Sequence, residues 1–349
     1  MIKINKSPVP TSQNFGVNYF DFDDTLLNQN MRKEVALKYN DTLSQVNILE
    51  ISKSEFPNNN IFTEMSNQLQ KPNCAKKIVF DKMSQNAHIV EFDSAQSALV
   101  DNLILLFKNN VNAKVIVKHN SKEILYHNST IKIIVEDGAT ANVALVSTSN
   151  VASASLFSVE ADVMNSASLN LQLFDFSNNN IVHNVKVNTH GDCSNIDLIS
   201  MYFGQNKDRL SLNYMFDLQG KNCNANMNVY GVLNGESEKN FVGTINFQKG
   251  SLKSVGEENE FCMLLSKNVK AKSTPILLSA EEDVDGKHAT SVGYLDPKEM
   301  FYANSRGLSK KDAIKLFVKA KFDVMLRKIF DLDLKKEIEQ QIDGRLDNE

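Results

Sequence analysis

The sequence lacks the residues that mark several common classes of protein. It has no tryptophan, and only six prolines and four cysteines in 349 residues. The cysteines Cys74, Cys193, Cys223 and Cys262 form no CxxC pair, which argues against a zinc ribbon and a dense disulfide framework. We therefore expect free thiols, as in a reducing compartment.

An excess of charge of one sign is also missing. The 38 basic and 42 acidic residues give a net charge of -4, so no general attraction to nucleic acid or to an anionic membrane is expected. The first twelve residues contain no apolar core of signal-peptide length, and the most apolar run, ALVDNLILLF, is interrupted by Asp101 and Asn102. These features predict a cytoplasmic protein without a nucleic-acid or membrane partner.

The motifs of self-contained enzymes are absent as well. There is no GxxxxGK[ST], HExxH, GxSxG or GxGxxG segment. The stretch YFDFDDTL at residues 19–26 resembles the nucleophile segment of haloacid-dehalogenase-type phosphatases, in which an aspartate attacks phosphorus. That aspartate needs a buried parallel strand and alternating helices and strands after it, which the following residues do not predict. We interpret the stretch as an exposed acidic turn or a helix start.

The distribution of proline and of alternating segments divides the chain into three parts. Residues 1–75 hold four of the six prolines and show only modest helical periodicity near 31–46, which predicts an N-terminal arm with short helices. Residues 76–295 are a succession of short alternating segments and predict a β core. Residues 296–349 predict a C-terminal helical segment.

Similar segments in the β region recur at a regular interval. ANVALV, SLNLQLF, NIDLISM and NMNVYGV follow one another at roughly 27 to 31 residues, and a second series falls between them. Two strands per repeat are typical of a parallel β-helix. A β-sandwich fits evenly spaced strands too, so the spacing leaves both architectures open.

The C-terminal segment has the pattern of a helical hairpin. Ser309 is a suitable cap for a first helix, and the second helix is expected to end at Gly344. The apolar face predicted for the first helix consists of Ala313, Leu316, Phe317, Ala320 and Val324.

Histidine and cysteine side chains are the soft donors that a transition-metal ion would need. His190 and Cys193 have an HxxC spacing, with Cys223 about one repeat further on, so either a small metal site or a surface histidine and a buried cysteine is expected. The remaining strand-borne histidines have no acidic or thiol companions in sequence and are interpreted as structural or solvent-exposed: His88, His119, His127 and His183.

The stretch from 275 to 307 is the most distinctive in the chain. His288 follows an acidic cluster that contains Glu282, Asp283 and Asp285, an arrangement that suits either a ligand set or a solvated loop. Across this stretch the chain resembles the SufB/SufD family of iron-sulfur cluster assembly scaffold proteins, and SufD more closely. The resemblance is carried by Pro275-Ile276-Leu277, Asp283-Val284, His288, Val292-Gly293-Tyr294-Leu295-Asp296, Phe301-Tyr302 and Ser305-Arg306-Gly307.

The resemblance implies a fold and a function. The fold is an all-β, right-handed parallel β-helix with helical terminal elements. The implied function is that of a non-catalytic SufD-like subunit of a SufBCD complex, in which SufC is the ABC-type ATPase and SufB the scaffold partner. A SufB-like scaffold able to form a homodimer is the alternative within the family. A carbohydrate-active enzyme on a β-helix is the alternative from another class.

The resemblance also assigns residues. His288 becomes a candidate contact for iron or a cluster at the subunit interface, supported by Glu282, Asp283 and Asp285, with no cofactor bound tightly to the isolated chain. Many SufD proteins have a cysteine two positions before this histidine, where this chain has Gly286. The helix over residues 309–330 is expected to dock the ATPase.

Overall fold

We examined a computed structural model of the chain. It describes residues 2–7, 18–22, 36–39, 46–51, 72, 74–93, 98–119, 126–148 and 153–347.

Strands dominate the described residues. The first four are short: β1 (Ile2–Ile4), β2 (Phe20–Phe22), β3 (Ala36–Tyr39) and β4 (Asn47–Glu50). The next eight are β5 (Cys74–Phe80), β6 (Ala87–Asp93), β7 (Ala98–Phe107), β8 (Asn112–His119), β9 (Tyr126–Val135), β10 (Thr140–Ser147), β11 (Ser153–Val163) and β12 (Ser168–Asp175). The last eight are β13 (Asn179–Thr189), β14 (Asn195–Gly204), β15 (Arg209–Leu218), β16 (Asn224–Leu233), β17 (Glu238–Phe247), β18 (Val255–Leu264), β19 (Lys270–Ser279) and β20 (Asp285–Tyr294).

These strands build a parallel β-helix. From β5 onward, even-numbered strands form one sheet and odd-numbered strands the other, and each strand pairs in parallel with the strand two further along the chain. Each coil therefore contributes one strand to each sheet, which is the arrangement expected from the repeat. The all-β solenoid prediction is confirmed, and the β-sandwich alternative is wrong because the ladders are parallel and in register from coil to coil.

Asparagine and serine occupy several corners of the coils. Non-glycine residues with positive φ occur at successive corners, where short polar side chains tolerate the left-handed region. Asn110, Ser166, Cys193 and Asn222 are among them, and the backbone N–H of each donates to a carbonyl one coil further on. Cys193 is thus a corner residue of the solenoid.

The core has two parts. Inside the solenoid, alternate residues of both sheets stack as columns of Val, Leu, Ile and Phe. A second apolar cluster lies on the outer face of the even-numbered sheet, where Ile116, Val146, Phe174 and Met201 contact the C-terminal helices. Strands of this sheet are consequently apolar on both faces.

The described part of the N-terminal region is made of strands. In place of the helix expected near 31–46, Ala36–Tyr39 is β3, which pairs antiparallel with β6, and β4 pairs antiparallel with β5. The exposed backbone edge of the first coil explains this difference, because it offers hydrogen bonds to an added strand. Within YFDFDDTL, Phe20–Phe22 is β2, and residues 23–26 lie outside the described residues.

Three helices complete the described fold: α1 (Pro297–Ser305), α2 (Lys310–Leu326) and α3 (Leu332–Asp347). Ser309 caps α2 as expected, since its Oγ accepts a hydrogen bond from the N–H of Asp312. The expected end at Gly344 is wrong, because α3 continues and buries Arg345 and Leu346 against the solenoid. No helix among the described residues combines the length and apolar character needed to span a bilayer.

Candidate functional site

The last coil of the solenoid is open. β19 and β20 are the terminal strands of their sheets, and each pairs on one side only, with β17 and β18 respectively. At the opposite end, the antiparallel strands β3 and β4 cover the first coil. Among the described residues, the outer edges of β19 and β20 therefore have no sheet partner, which makes them a template for another chain.

His288 stands on the inner face of this open coil. It is in register with Glu258 on β18, and Glu258 is buried inside the solenoid. Side chains in register on parallel strands point to the same side, so the exposed His288 lies one coil above Glu258 in the same column. Thr290 and Val292 follow on the same face, above Glu260 and Cys262.

A buried ionisable group lies below the opening. The Nζ of Lys239 donates hydrogen bonds to Oε1 of Glu260 and, at 2.8 Å, to the hydroxyl of Ser273. Both charged side chains are fully buried, so each depends on the other for compensation of its charge. Burial also raises the pKa of the Cys262 thiol on the same strand as Glu260, which keeps it protonated and unreactive.

Glu258 is the unusual member of this group. Neither of its carboxyl oxygens has a hydrogen-bond partner among the described residues. Burial, with the charge of Glu260 nearby, raises its pKa to about 8, so the carboxyl is mostly protonated at neutral pH. The carboxyl occupies the space beside Gly243, where any added methyl would collide with it. Glu258 and His288 therefore stand in one column of the inner face, a carboxyl group one coil below an imidazole.

The predicted acidic residues occupy other positions. Asp285 lies on the outward face of β20 and forms an ion pair with Lys287 at 2.9 Å. Glu282 and Asp283 are exposed in the turn before β20. The carboxyl aligned with His288 is Glu258, thirty residues earlier and one coil below. The repeat length could have identified Glu258, because the residue one repeat before His288 lies on β18.

Gly286 also lies on the inner face. Leu277, on the opposite strand β19, fills the space beside it, and its methyl groups come within 2.8 and 2.9 Å of where a side chain at 286 would begin. A cysteine here would require Leu277 to move. The opening in this chain is therefore closed on that side by an aliphatic group.

The remaining motif residues shape the entry into the helices. Asp296 caps α1 by accepting a hydrogen bond at 2.8 Å from the N–H of Lys298. The hydroxyl of Ser305 donates to the carbonyl of Tyr302 at 2.7 Å, and the Arg306 guanidinium lies 5.1 Å from the Tyr302 ring centre. Gly307 has a φ of 91°, which favours glycine where the chain leaves α1. Gly293 is exposed near the end of β20.

The predicted face of α2 is divided by the structure. Ala313 is buried and Phe317 is partly buried against the cluster on the outer sheet. Leu316, Ala320 and Val324 form an exposed stripe, with Leu316 and Val324 each 53% exposed. Contact with the solenoid is made instead by Val318, Phe322, Met325 and Leu326.

The HxxC group does not form a metal site among the described residues. His190 is held by Asp162 at 3.0 Å and by Gln219 at 2.9 Å, while Cys193 is exposed at its corner. Cys223 is buried and accepts a hydrogen bond from Ser194. The structure therefore has a surface histidine, His190, and a buried cysteine, Cys223, while Cys193 is exposed.

The four strand-borne histidines are all buried, and the expectation that they lack acidic companions is wrong for three of them. His127 lies 2.9 Å from Asp101 and His119 lies 3.5 Å from it, while His183 lies 3.0 Å from Asp175. Burial, with the charge of His127 nearby, lowers the pKa of His119 to about 4. The companions come from neighbouring strands of the solenoid, so adjacency in sequence does not reveal them.

Comparison with known proteins agrees with this fold. The family model of the SUF system FeS cluster assembly SufBD core domain matches residues 89–321. The chain is 28% identical over 131 residues to the iron-sulfur cluster assembly protein SufD of Bacillus subtilis, a match that covers 38% of this chain and 30% of that protein. It is 23% identical over 164 residues to SufD of Escherichia coli, covering 47% and 39%.

A third relative is an iron-sulfur cluster assembly SufBD family protein of Pyrococcus horikoshii, 28% identical over 157 residues, with 44% of this chain and 35% of the relative covered. The matches thus span between 30% and 39% of the length of these three relatives. The family model, in contrast, covers most of this chain, including the open coil and most of α2. The chain therefore belongs to the SufBD core family of the SUF system for iron-sulfur cluster assembly.

Proposed function

We propose that this chain is a SufD-like, non-catalytic scaffold subunit that assembles iron-sulfur clusters together with a SufB-like subunit and a SufC-like ABC ATPase. The open last coil carries this proposal. It combines unpaired strand edges, exposed apolar side chains such as Val292 and Tyr294, and an inward-facing imidazole above a protonated carboxyl. A partner solenoid placed against these edges would enclose His288 between two chains.

The proposed role of His288 is to contact iron or a growing cluster at that interface. Neutral imidazole binds iron, and the Glu258 carboxyl one coil below would release its proton when a cation approaches. A single histidine and a carboxyl do not complete a cluster site, so the remaining ligands would come from the partner subunit. Iron and the cluster would be cargo in this role and not a resident cofactor of the chain.

The iron contact is tested in the assembled complex. We expect His288→Ala to preserve complex formation and to lower the iron and acid-labile sulfide recovered after anaerobic purification. His190→Ala and Cys193→Ala are the matched controls, since one removes an imidazole and the other a thiol that face solvent at a corner of the solenoid. An unchanged iron load in the His288→Ala complex would exclude the proposed contact.

The ATPase contact is proposed for the exposed stripe of α2. Leu316 and Val324 flank Ala320 on the helix face that the solenoid leaves uncovered, and the apolar area there suits a groove on a partner. Phe317 is less suited to the test, because it packs partly against the outer-face cluster and its replacement by aspartate would also disturb the fold. Leu316 and Val324 are better choices, because both side chains are more than half exposed and their replacement should leave the fold intact.

We expect the double variant Leu316→Asp/Val324→Asp to lose co-purification of the ATPase while its circular dichroism spectrum stays unchanged. Leu332→Asp is the control, because Leu332 is equally apolar and 76% exposed but lies on α3. ATPase retained at wild-type stoichiometry by the double variant would assign α2 a purely intramolecular role.

A further inference from the structure

A second set of ligand-type side chains lies deep inside the solenoid, away from the open coil. Asp101 on β7, His119 on β8 and His127 on β9 are all buried, and one donor atom of each lies within 4.8 Å of the others. Five strand spacings, roughly 24 Å, separate β8 from β18 and the Glu258 carboxyl. This cluster, called the interior triad below, has no part in the function proposed above.

The donor atoms of the interior triad lie close together, all within 4.8 Å of one another. The Nε2 atoms of His127 and His119 lie 2.9 and 3.5 Å from the same carboxylate oxygen, Oδ1 of Asp101. A metal ion with bonds of about 2.0 to 2.2 Å holds neighbouring ligands roughly 3.0 to 3.5 Å apart. The present separations are therefore close to those that a bound ion requires.

The ring nitrogens are also short of hydrogen-bond partners. Among the described residues, neither nitrogen of His119 and only Nε2 of His127 has one. Buried polar atoms are nearly always paired, because an unpaired one costs about 1 to 3 kcal/mol. Oδ1 of Asp101 lies 3.5 Å from Nε2 of His119, which is too long for a strong hydrogen bond, so an ion ligated by both Nε2 atoms would give His119 a stronger interaction.

The surroundings hold the three side chains in place. The hydroxyl of Ser129 donates a 2.6 Å hydrogen bond to Oδ2 of Asp101, which orients the carboxylate with Oδ1 toward the histidines. The ring of Phe92 stacks on His119 at 4.6 Å, and Phe157 contacts both imidazoles edge-on at 5.2 Å. Such a hydrophobic shell limits solvent access to the triad and strengthens ligation of a cation.

A neighbouring pair shows that burial of a histidine beside an aspartate does not by itself make such a site. Both ring nitrogens of His183 form hydrogen bonds. Nδ1 lies 3.0 Å from the Tyr214 hydroxyl, and Nε2 lies 3.0 Å from Oδ2 of Asp175. His183 lies two coils from His119 with one carboxylate and no second histidine. Its hydrogen bonds are complete, so it needs no ion.

We propose that Asp101, His119 and His127 bind one divalent first-row transition-metal ion of the Zn²⁺ or Fe²⁺ type. Two imidazoles and one carboxylate are a ligand set of these ions, and they leave at least one position open for water. Asp101 neutralises one of the two charges, and Asp175 acts on the same region through its charge on His119. The ion ties β7, β8 and β9 together across the interior.

The test uses the full chain, produced with Co²⁺ or Zn²⁺ in the growth medium and also titrated with each ion after chelator treatment. We expect one ion per chain, visible d–d absorption of the Co²⁺ form, and a higher unfolding temperature with Zn²⁺. His119→Gln should lose the bound ion, the absorption and the Zn²⁺-dependent rise in unfolding temperature. His183→Gln, the control, should retain all three.

A second measurement does not depend on any variant. In the Co²⁺ form, ligation through Nε2 leaves an N–H on Nδ1 of each histidine, so two exchangeable, strongly shifted proton resonances are expected. Retention of the Co²⁺ absorption by His119→Gln, or wild-type protein that holds no ion under either loading scheme, would overturn the proposal. The triad would then be a buried histidine–aspartate ion pair only.

Discussion

Glu258 illustrates how one buried side chain links stability to pH. The pKa of the carboxyl is about 8 in the folded chain, whereas an unfolded glutamate releases its proton near pH 4.5. The contribution of this group to stability is therefore complete below about pH 4.5 and is lost as the pH rises toward 8.

We predict that Glu258→Gln makes unfolding less dependent on pH in this range. Between pH 5 and pH 8 the wild type should lose about 3 to 4 kcal/mol more of its free energy of unfolding than the variant does. Urea unfolding at both pH values measures this difference. Glu257→Gln, one residue earlier and on the opposite face, should change it little, and an equal response of the two variants would argue against a buried neutral carboxyl.

Gly231 is a position where one added methyl group should change the stability of the fold. It is in register with Tyr202, whose ring covers it so closely that an added methyl would overlap the ring carbons. Gly231→Ala should lower the free energy of unfolding by about 1 to 3 kcal/mol, because the fully buried tyrosine has little room to move. Gly344→Ala in α3 meets no neighbouring atom and should instead stabilise by about 0.5 to 1 kcal/mol. Denaturant midpoints of the two variants provide the comparison.

At the scale of elements, α3 is attached to the solenoid by polar as well as apolar contacts. The buried guanidinium of Arg345 donates to the carbonyls of Phe176 and Phe203 and, at 3.1 Å, to the side chain of Asn178. These carbonyls belong to chain segments that follow β12 or end β14, so the helix is tied to two coils at once. A loss of these bonds would leave buried carbonyls unpaired.

We predict that Arg345→Ala destabilises the docked helix by about 2 to 3 kcal/mol, because hydrogen bonds from charged groups to buried acceptors are worth that much. Faster proteolysis near the C-terminus under native conditions, together with a lower denaturant midpoint, is the expected result. Arg327→Ala is the control, since this arginine forms an exposed pair with Asp323 within α2 and should cost below about 0.5 kcal/mol. Equal losses in both variants would contradict the docking role of Arg345.

At the scale of the whole molecule, the two ends of the solenoid differ. Antiparallel strands cover the first coil, while the last coil leaves strand edges and apolar side chains exposed. In the absence of another subunit, we predict that two copies of this chain associate through β19 and β20, because each edge supplies the hydrogen-bonding groups that the other lacks.

Val292→Lys should therefore shift the isolated chain from dimer to monomer in analytical ultracentrifugation at micromolar concentration. Val292 lies on the inner face of the last coil, where a partner would bury it. Met83→Lys serves as the control, because Met83 is highly exposed near the covered end. A wild-type chain that sediments as a monomer throughout would contradict homodimerisation.

Much of this protein follows from the sequence alone. The repeat of roughly 27 to 31 residues and the alternation of apolar residues predict a regular β region, and the resemblance of residues 275–307 to the SufB/SufD family favours the solenoid over the sandwich. The cap at Ser309 follows equally from local chemistry, since a hydroxyl that caps a helix depends on a few neighbouring residues only.

The tertiary structure decided which residues meet. Glu258 below His288, and Asp101 beside His119 and His127, are contacts between coils or across the interior, and no local preference encodes them. The same is true of α2, whose apolar residues divide between a face that contacts the solenoid and a stripe that faces solvent. Sequence periodicity determines that a helix has an apolar side, but the register of packing determines which apolar residues are covered, and that register depends on the whole assembled sheet.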